Sequence, residues 1–241
     1  MKILKKIRRT TDRIRTHFDP RRKVHFLHIG KTAGTQIGNV AAQINKQSEK
    51  IRIIAHHHGT KLRDIPSGED YFFSIRHPVS RFKSGFYSRK RKGLPRYHSE
   101  WSKSETKAFK IFEHANDLAE SLFEPDEQGV QAAAAMQSIS HVNEMQASWF
   151  VRQGFFLELC PPLAIIRQEE FGKDLDTLIT KLNPKLEYTL EPDATIAHKN
   201  NYNGVPPLSE KAKKNLSRWY ASDIAFYEMC EKWINRHQEA E

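Results

Sequence analysis

Residues 23–35 read KVHFLHIGKTAGT, and this stretch sets the expected fold. Residues 24–29 are an apolar run between charge and glycine, which is typical of a buried strand. The loop GKTAGT follows over 30–35, and a helix-compatible segment spans 36–47. A strand, a tight glycine loop and a helix start together predict an anion-binding cradle, because free peptide N–H groups and the helix dipole both favour negative charge.

The side chains of this loop suit a phosphate-like ligand. Lys31 offers a mobile positive charge, and Thr32 and Thr35 offer hydroxyl donors. The nucleoside triphosphate loop G-x-x-x-x-G-K-[ST] carries its lysine near the end, whereas Lys31 directly follows Gly30. The sequence therefore predicts an anion site but disfavours the strict triphosphate-binding pattern.

A second strand–loop–helix unit follows over residues 71–92. The run YFFSI over 71–75 predicts a strand that ends at Arg76, and Pro78 suits the first position of a helix over about 79–92. Ser84 comes two helical turns later, so it is expected on the helix face nearest the strand end. Arg76 and Ser84 offer donors for a second phosphate, and a nucleotide is expected to bridge the two cradles at a sheet crevice.

The remaining chain continues the alternation of strands and helices. Further strands are predicted at 51–55 and 163–166, helices at 108–123, 129–150 and up to 182, a loop at 183–208 and a last helix from Ser209. This order predicts an α/β fold, a parallel sheet flanked by helices on both faces. We expect a single domain over 23–241, preceded by a basic segment over 1–22.

Composition narrows the partners and the compartment. The 241 residues carry a net charge of +10, which indicates an anionic partner or a generally solubilising basic surface. We find no nucleic-acid-binding motif, no transmembrane segment and no secretory signal, so we expect no nucleic-acid partner and a cytoplasmic location. Residues 1–22 are expected to pack as a surface helix, with peripheral contact to an anionic membrane as the alternative. Cys160 and Cys230 are expected to be buried free thiols.

The two units together resemble the sulfotransferases that use 3′-phosphoadenosine 5′-phosphosulfate (PAPS), and especially the carbohydrate-modifying branch that includes heparan sulfate 2-O-sulfotransferases. The resemblance rests on G-K-T-A-G-T and R-x-P-x-x-R-x-x-S, each after a strand, and covers mainly residues 24–92. It implies a P-loop-like fold in which Arg76 and Ser84 bind the 3′-phosphate. His77 stands where the family often has aspartate. The residues it implies for the 5′-phosphosulfate are Gly30, Lys31, Thr32, Ala33, Gly34 and Thr35.

The resemblance also implies a histidine base, often in an H-x-H setting, and no metal. His56, His57 and His58 follow the strand between the two cradles. Histidine suits proton transfer near neutral pH, and we favour His58, then His56, then His57. Lys31 is expected to neutralise charge on the oxygen that bridges sulfur and phosphorus. The expected reaction moves a sulfuryl group from PAPS to a hydroxyl, of a glycan above all, by in-line displacement.

Several alternatives stay open at this point. A P-loop kinase of a small molecule or sugar, or a non-enzymatic binder of acidic polymers, would also use a basic surface. Arg81 suits either a phosphate contact or a surface ion pair. The basic stretch 89–101 is a possible lining for an acidic-glycan groove.

Overall fold

The computed structural model describes residues 19–95, 97–152, 154–192 and 202–238. Residues 1–18 of the basic segment lie outside this range, and so does any membrane contact that they make. Residues 193–201 of the expected 183–208 loop also lie outside it.

The described residues form a four-stranded sheet in the order β2-β1-β3-β4. The strands are β1 Arg22–Leu27, β2 Ile51–Ala55, β3 Asp70–Ile75 and β4 Ala164–Arg167. Every pairing is parallel, with Phe26 of β1 opposite Ala55 on one side and Phe72 on the other. All four carboxyl ends therefore lie at one edge, where the loops that follow the strands meet.

The strands alternate with helices and two 3₁₀ turns. The helices are α1 Gly34–Gln47, α2 Pro78–Lys90, α3 Lys103–Ile111, α4 Ala115–Ser121, α5 Glu127–Ser138, α6 Phe155–Leu159, α7 Phe171–Leu182, α8 Glu210–Trp219 and α9 Ala221–Gln238. The 3₁₀ turns are Leu62–Asp64 and Gln146–Trp149. No helix in the described ranges has the length and apolar content required to cross a membrane.

Helices cover both faces of the sheet, which confirms the predicted α/β architecture. On one face, Phe26 and its apolar neighbours pack against Ile37 of α1 and Leu178 of α7. On the other face, Leu27 and Phe73 belong to a cluster with residues of α9. The neighbouring residues Phe26 and Leu27 of β1 are thus buried on opposite faces, which explains why both are apolar.

A separate group of helices packs beside the sheet. α2 to α5 and α8 share a third apolar cluster that includes Phe82, Phe86 and Leu216. Because α2 starts at the end of β3 and enters this cluster, it connects the sheet edge to the helical group. The second predicted cradle therefore lies between the sheet and the helical group.

Three of the predicted helices were wrong in extent. The helix expected over 108–123 is two helices, because the backbone N–H of His114 bonds to Asp117 and starts a new one. The helix expected over 129–150 ends at Ser138, and His141 then takes a left-handed φ of 68° that a helix excludes. The last helix is broken at Tyr220, although Ser209 caps its start as expected.

An extended segment after α7 lies along α1. The side-chain amides of Gln47, Gln43 and Gln36 each donate to and accept from the backbone of one residue of this segment. Their partners are Glu187, Thr189 and Glu191 respectively. Three amide pairs thus hold the segment along α1, and the last pair lies near the amino end of this helix, where the predicted anion site begins.

The two cysteines are both free, as expected. Cys230 is buried in α9, but Cys160 is exposed, which corrects the expectation that both are buried. Cys160 follows the short helix α6 directly, outside the apolar cluster that holds Cys230.

Candidate active site

The first loop has the backbone of an anion-binding cradle. Lys31 and Ala33 both have left-handed backbone angles, with φ of 71° and 66°. Ala33 is the N-cap residue of α1 and makes no side-chain cap hydrogen bond, and its carbonyl accepts from the N–H groups of Gln36 and Ile37. Thr35 lies in the first turn. The start of α1 therefore offers peptide donors and a positive dipole end to an anion.

Thr32 has a different role from the one expected. Its side chain is fully buried, and its hydroxyl donates to the carbonyl of Ile29 at 2.8 Å and pairs with the hydroxyl of Ser74 at 2.7 Å. The hydroxyl of Thr32 thus joins the loop to β3, and only the peptide group of Thr32 is left to face an anion. The expectation that its hydroxyl binds the ligand is not supported by this geometry.

Gly34 allows a histidine to lie against the start of α1. A Cβ atom at Gly34 would lie 1.9 Å from Nε2 of His28. A side chain at this position would displace the His28 ring, because real Cβ atoms do not approach other atoms so closely. Glycine therefore allows the observed position of the His28 ring, in addition to its place in the loop.

Arg76 lies at the end of β3, as predicted. Its Nε donates to the hydroxyl of Ser80 at 3.0 Å, and burial lowers the pKa of its guanidinium, which stays cationic. Ser84 lies on α2 and is 3% exposed, so only a ligand group that enters the protein can meet its hydroxyl.

The cations of the two predicted cradles lie close enough to repel one another. The pKa of Lys31 falls to about 8, first because the side chain is buried and then because of Arg76, Arg91 and Arg81. Like charges disfavour the charged ammonium. A bound anion would relieve this repulsion, so the cluster of cations indicates a candidate anion site.

Arg81 joins the two units internally. It is 1% exposed, its Nε donates to the carbonyl of Gly30 at 2.9 Å, and its Nη1 donates to the carbonyl of Glu144 at 2.6 Å. The expected surface ion pair is wrong because the side chain is buried, and the expected phosphate contact stays a prediction, since Nη2 has no partner in the described structure. Arg81 fixes the first loop against the segment after α5.

The backbone of Arg76 is held by a residue that the sequence did not single out. The side-chain amide of Gln146 accepts from the N–H of Arg76 at 2.9 Å and donates to its carbonyl at 2.8 Å. Gln146 is fully buried, and Asp223 of α9 lies behind it at 3.4 Å. The buried carboxylate also accepts from the N–H of Ala147 at 3.1 Å. This network fixes the peptide from which the Arg76 side chain projects.

The three adjacent histidines have three different environments. His58 Nδ1 lies 3.0 Å from the carbonyl of His28, and its ring approaches Gly30. His57 Nδ1 accepts from the N–H of Gly59 at 3.1 Å, which caps a local turn. His56 Nε2 lies 2.8 Å from Nδ1 of His25. Of the three, His58 is the one that the structure brings to the first loop.

The hydrogen bond of His58 determines its tautomer. A carbonyl oxygen only accepts, so Nδ1 of His58 carries the proton. Nε2 of the neutral ring then has a lone pair, which is the form that a general base requires. The ring of His28 lies 4.0 Å away between centroids and limits how the ring of His58 can turn.

His56 belongs to a second chain of contacts. His25 connects it to the carboxylate of Glu69, and the rings of His25 and His56 are stacked 5.1 Å apart. Burial and the neighbouring His25 lower the pKa of His56 to about 4. These contacts connect the His56 ring to His25 of β1.

Sequence reasoning missed His141 because it fell within the helix predicted over 129–150. Its ring lies 5.8 Å from that of His58, and its Nδ1 lies beside Gly30. The stretch Ile-Ser-His-Val-Asn over 139–143 consists of weak helix formers, which was a signal for the break. Within the described residues, no group of three or more His, Cys, Asp or Glu side chains is arranged to hold a metal ion.

A glycine loop and a helix start at the carboxyl edge of a parallel sheet form a geometry that suits a phosphate-like anion. The model of the sulfotransferase family matches residues 15–139. This match spans more than half of the chain, so the protein belongs to the sulfotransferase family and is a sulfotransferase. No curated protein and no solved structure matches the chain.

Proposed function

We propose that this sulfotransferase uses PAPS as donor and a carbohydrate hydroxyl as acceptor, with His58 as general base. The observation that carries the proposal is the convergence of Lys31 and Arg76 beside a histidine whose Nε2 has a lone pair. Gly30 to Thr35 bind the phosphosulfate through peptide N–H groups. Arg76 and Ser84 bind the 3′-phosphate, at the second cradle.

The chemical step follows from these positions. His58 Nε2 takes the proton of the acceptor hydroxyl as the acceptor oxygen bonds to sulfur. The bond from sulfur to the bridging oxygen breaks in line with that attack, and adenosine 3′,5′-bisphosphate leaves. Lys31 stabilises the charge that develops on the bridging oxygen.

The carbohydrate acceptor is supported by the resemblance and by the net charge of +10. The stretch 89–101 adds less than expected, because its charges are largely paired. Arg89 is buried and bonds both carboxylate oxygens of Glu105, and Lys92 pairs with Glu100 at 2.6 Å. We therefore place the acceptor beside His58 rather than along this stretch.

Ligand-induced stabilisation tests the class of donor. Adenosine 3′,5′-bisphosphate is expected to raise the melting temperature, because it meets both cradles; at about 100 times its Kd the stabilisation is about 2.7 kcal/mol. ATP with magnesium lacks the 3′-phosphate and is expected to stabilise less. Stabilisation by ATP–magnesium alone would contradict the proposal and favour a kinase.

Binding of the bisphosphate is expected to weaken as pH rises through about 8, the pKa of Lys31. Below this pH the ammonium of the free protein is charged and attracts the anion, whereas above it binding requires uptake of a proton. The loss is at most about tenfold per pH unit, as for any single-proton linkage. Titration calorimetry in buffers of different ionisation enthalpy measures both the affinity and the proton uptake.

The matched control for this pH dependence is Lys31→Arg. Arginine stays charged throughout the range, so this variant is expected to bind with little change between pH 7 and 9. An equally steep loss in the Lys31→Arg protein would assign the pH dependence to another group.

A further inference from the structure

His141 lies in a space that glycines leave open. A Cβ atom at Gly30 would lie 3.0 Å from Nδ1 of His141, and one at Gly85 would lie 3.2 Å from its carbonyl oxygen. The first loop and α2 therefore approach His141 from two sides. The imidazole lies between the two anion-binding units, 5.8 Å from the ring of His58.

Two features of His141 are energetically unfavourable in the described structure. Its φ of 68° is left-handed, which a residue with a Cβ atom adopts at a cost. Its Nδ1 is buried without a hydrogen-bond partner, which also costs free energy. Such costs cluster at functional sites, and here both fall on one residue beside the anion loop.

The environment keeps this imidazole neutral. Protonation would place an N–H at the buried Nδ1, where the described structure supplies no acceptor. Burial and then the charge of Lys31 lower the pKa of His141 to about 3. The ring thus carries a single N–H near neutral pH.

Nε2 is the ring nitrogen that a ligand can meet. Nδ1 is buried beside Gly30, whereas the residue as a whole is only half-buried. A sulfuryl or phosphate group has acceptor oxygens only, so it selects the tautomer with the proton on Nε2. His141 then offers a neutral donor beside the cation Lys31.

We propose that His141 is a second catalytic imidazole, which donates a hydrogen bond from Nε2 to an oxygen of the reacting sulfuryl group or of the bridge to phosphorus. This inference rests on the proposed function. The acceptor proton goes to His58, the bond from sulfur to the bridging oxygen breaks, and His141 keeps its own proton. It shares with Lys31 the charge that develops on the leaving oxygen.

Two variants with side chains of similar length test whether His141 acts as a hydrogen-bond donor or only fills space. His141→Gln carries an amide N–H near the position of Nε2, and His141→Met has no donor. The Met variant is expected to lower kcat about 100-fold, as the loss of one transition-state donor does, and the Gln variant is expected to recover a large part of this loss. Both should still bind adenosine 3′,5′-bisphosphate, because Lys31, Arg76 and the loop peptides proposed to hold its phosphates are unchanged.

The pH profile gives a second readout. The acid limb of kcat is expected to be the same in the Gln variant as in the wild type, because His58 takes the proton. A purely structural role would lower both variants equally, and equal kcat values for Gln and Met would overturn the proposal. So would a Met variant with the kcat of the wild type.

Failure of this inference is distinct from failure of the proposed function. If the wild type neither binds the bisphosphate nor transfers sulfuryl groups from PAPS, the proposed function is wrong. If the Met variant does not fold, His141→Asn replaces it, since its amide ends near Nδ1 and should not restore the donor at Nε2. Recovery by Asn equal to that by Gln would then reject the assignment to Nε2.

Discussion

The His58→Ala protein is expected to bind adenosine 3′,5′-bisphosphate normally and to transfer sulfuryl groups about 100- to 10,000-fold more slowly, the usual contribution of a positioned base. The reason lies in the bond between His58 Nδ1 and the carbonyl of His28, which leaves the lone pair on Nε2. Removal of the ring takes away the proton acceptor but none of the donors assigned to the phosphates. Initial rates with labelled PAPS and calorimetry with the bisphosphate measure the two effects separately.

His57→Ala is the matched control, because it removes the adjacent ring without touching the base. The His57 ring accepts from the N–H of Gly59 and caps a turn, so its loss is expected to have a small effect on kcat. Near-normal turnover in His58→Ala would reject the base assignment. Equal losses in the two variants would indicate that the turn as a whole, and no single imidazole, supports the reaction.

Arg76→Ala is expected to weaken the bisphosphate about 30-fold or more, the cost of removing one partner of a buried charge pair. Adenosine 5′-phosphosulfate lacks the 3′-phosphate, so its Kd should change little. The backbone of residue 76 should stay in place, because Gln146 bonds its N–H and carbonyl rather than its side chain. The Kd values of the bisphosphate and of the phosphosulfate, each measured for the wild type and for Arg76→Ala, test this expectation.

The control for net charge is Arg63→Ala, whose side chain is 71% exposed. It removes the same charge at an exposed side chain that makes none of the contacts assigned to the donor, so both ligands should bind it as they bind the wild type. If Arg76→Ala weakened binding of the bisphosphate and the phosphosulfate equally, Arg76 would not be the residue that binds the 3′-phosphate. If Arg63→Ala weakened bisphosphate binding as much as Arg76→Ala does, the loss would reflect the net charge of the protein and not a contact of Arg76.

Local sequence was sufficient for the two strand–loop–helix units. Strand patterns, the glycines of the first loop and Pro78 act within a few residues, and the observed β1, α1, β3 and α2 begin and end close to the predicted positions. The parallel sheet followed because strands that alternate with helices leave few other arrangements. The position of Arg76 at the end of β3 was predictable for the same reason.

The contacts that complete the site depend on distant residues. His141 and Gln146 reach the site because a predicted helix stops at Ser138, and their partners are Gly30 and Arg76, far away in sequence. Arg81 was ambiguous because its partners are backbone carbonyls, which every residue carries. No pattern in one sequence identifies which carbonyl an arginine will bond.

The segment 141–147 touches both units that are proposed to bind the donor, the first loop and the start of α2. Arg81 bonds the carbonyls of Gly30 and Glu144, and Gln146 bonds Arg76, so the distance between the cradles is set by protein contacts rather than by the ligand. Once one end of a nucleotide is bound, the other end meets its site at a high effective concentration, provided that its length matches. Under the proposed function, this fixed spacing would therefore select a nucleotide whose two anionic groups lie the right distance apart.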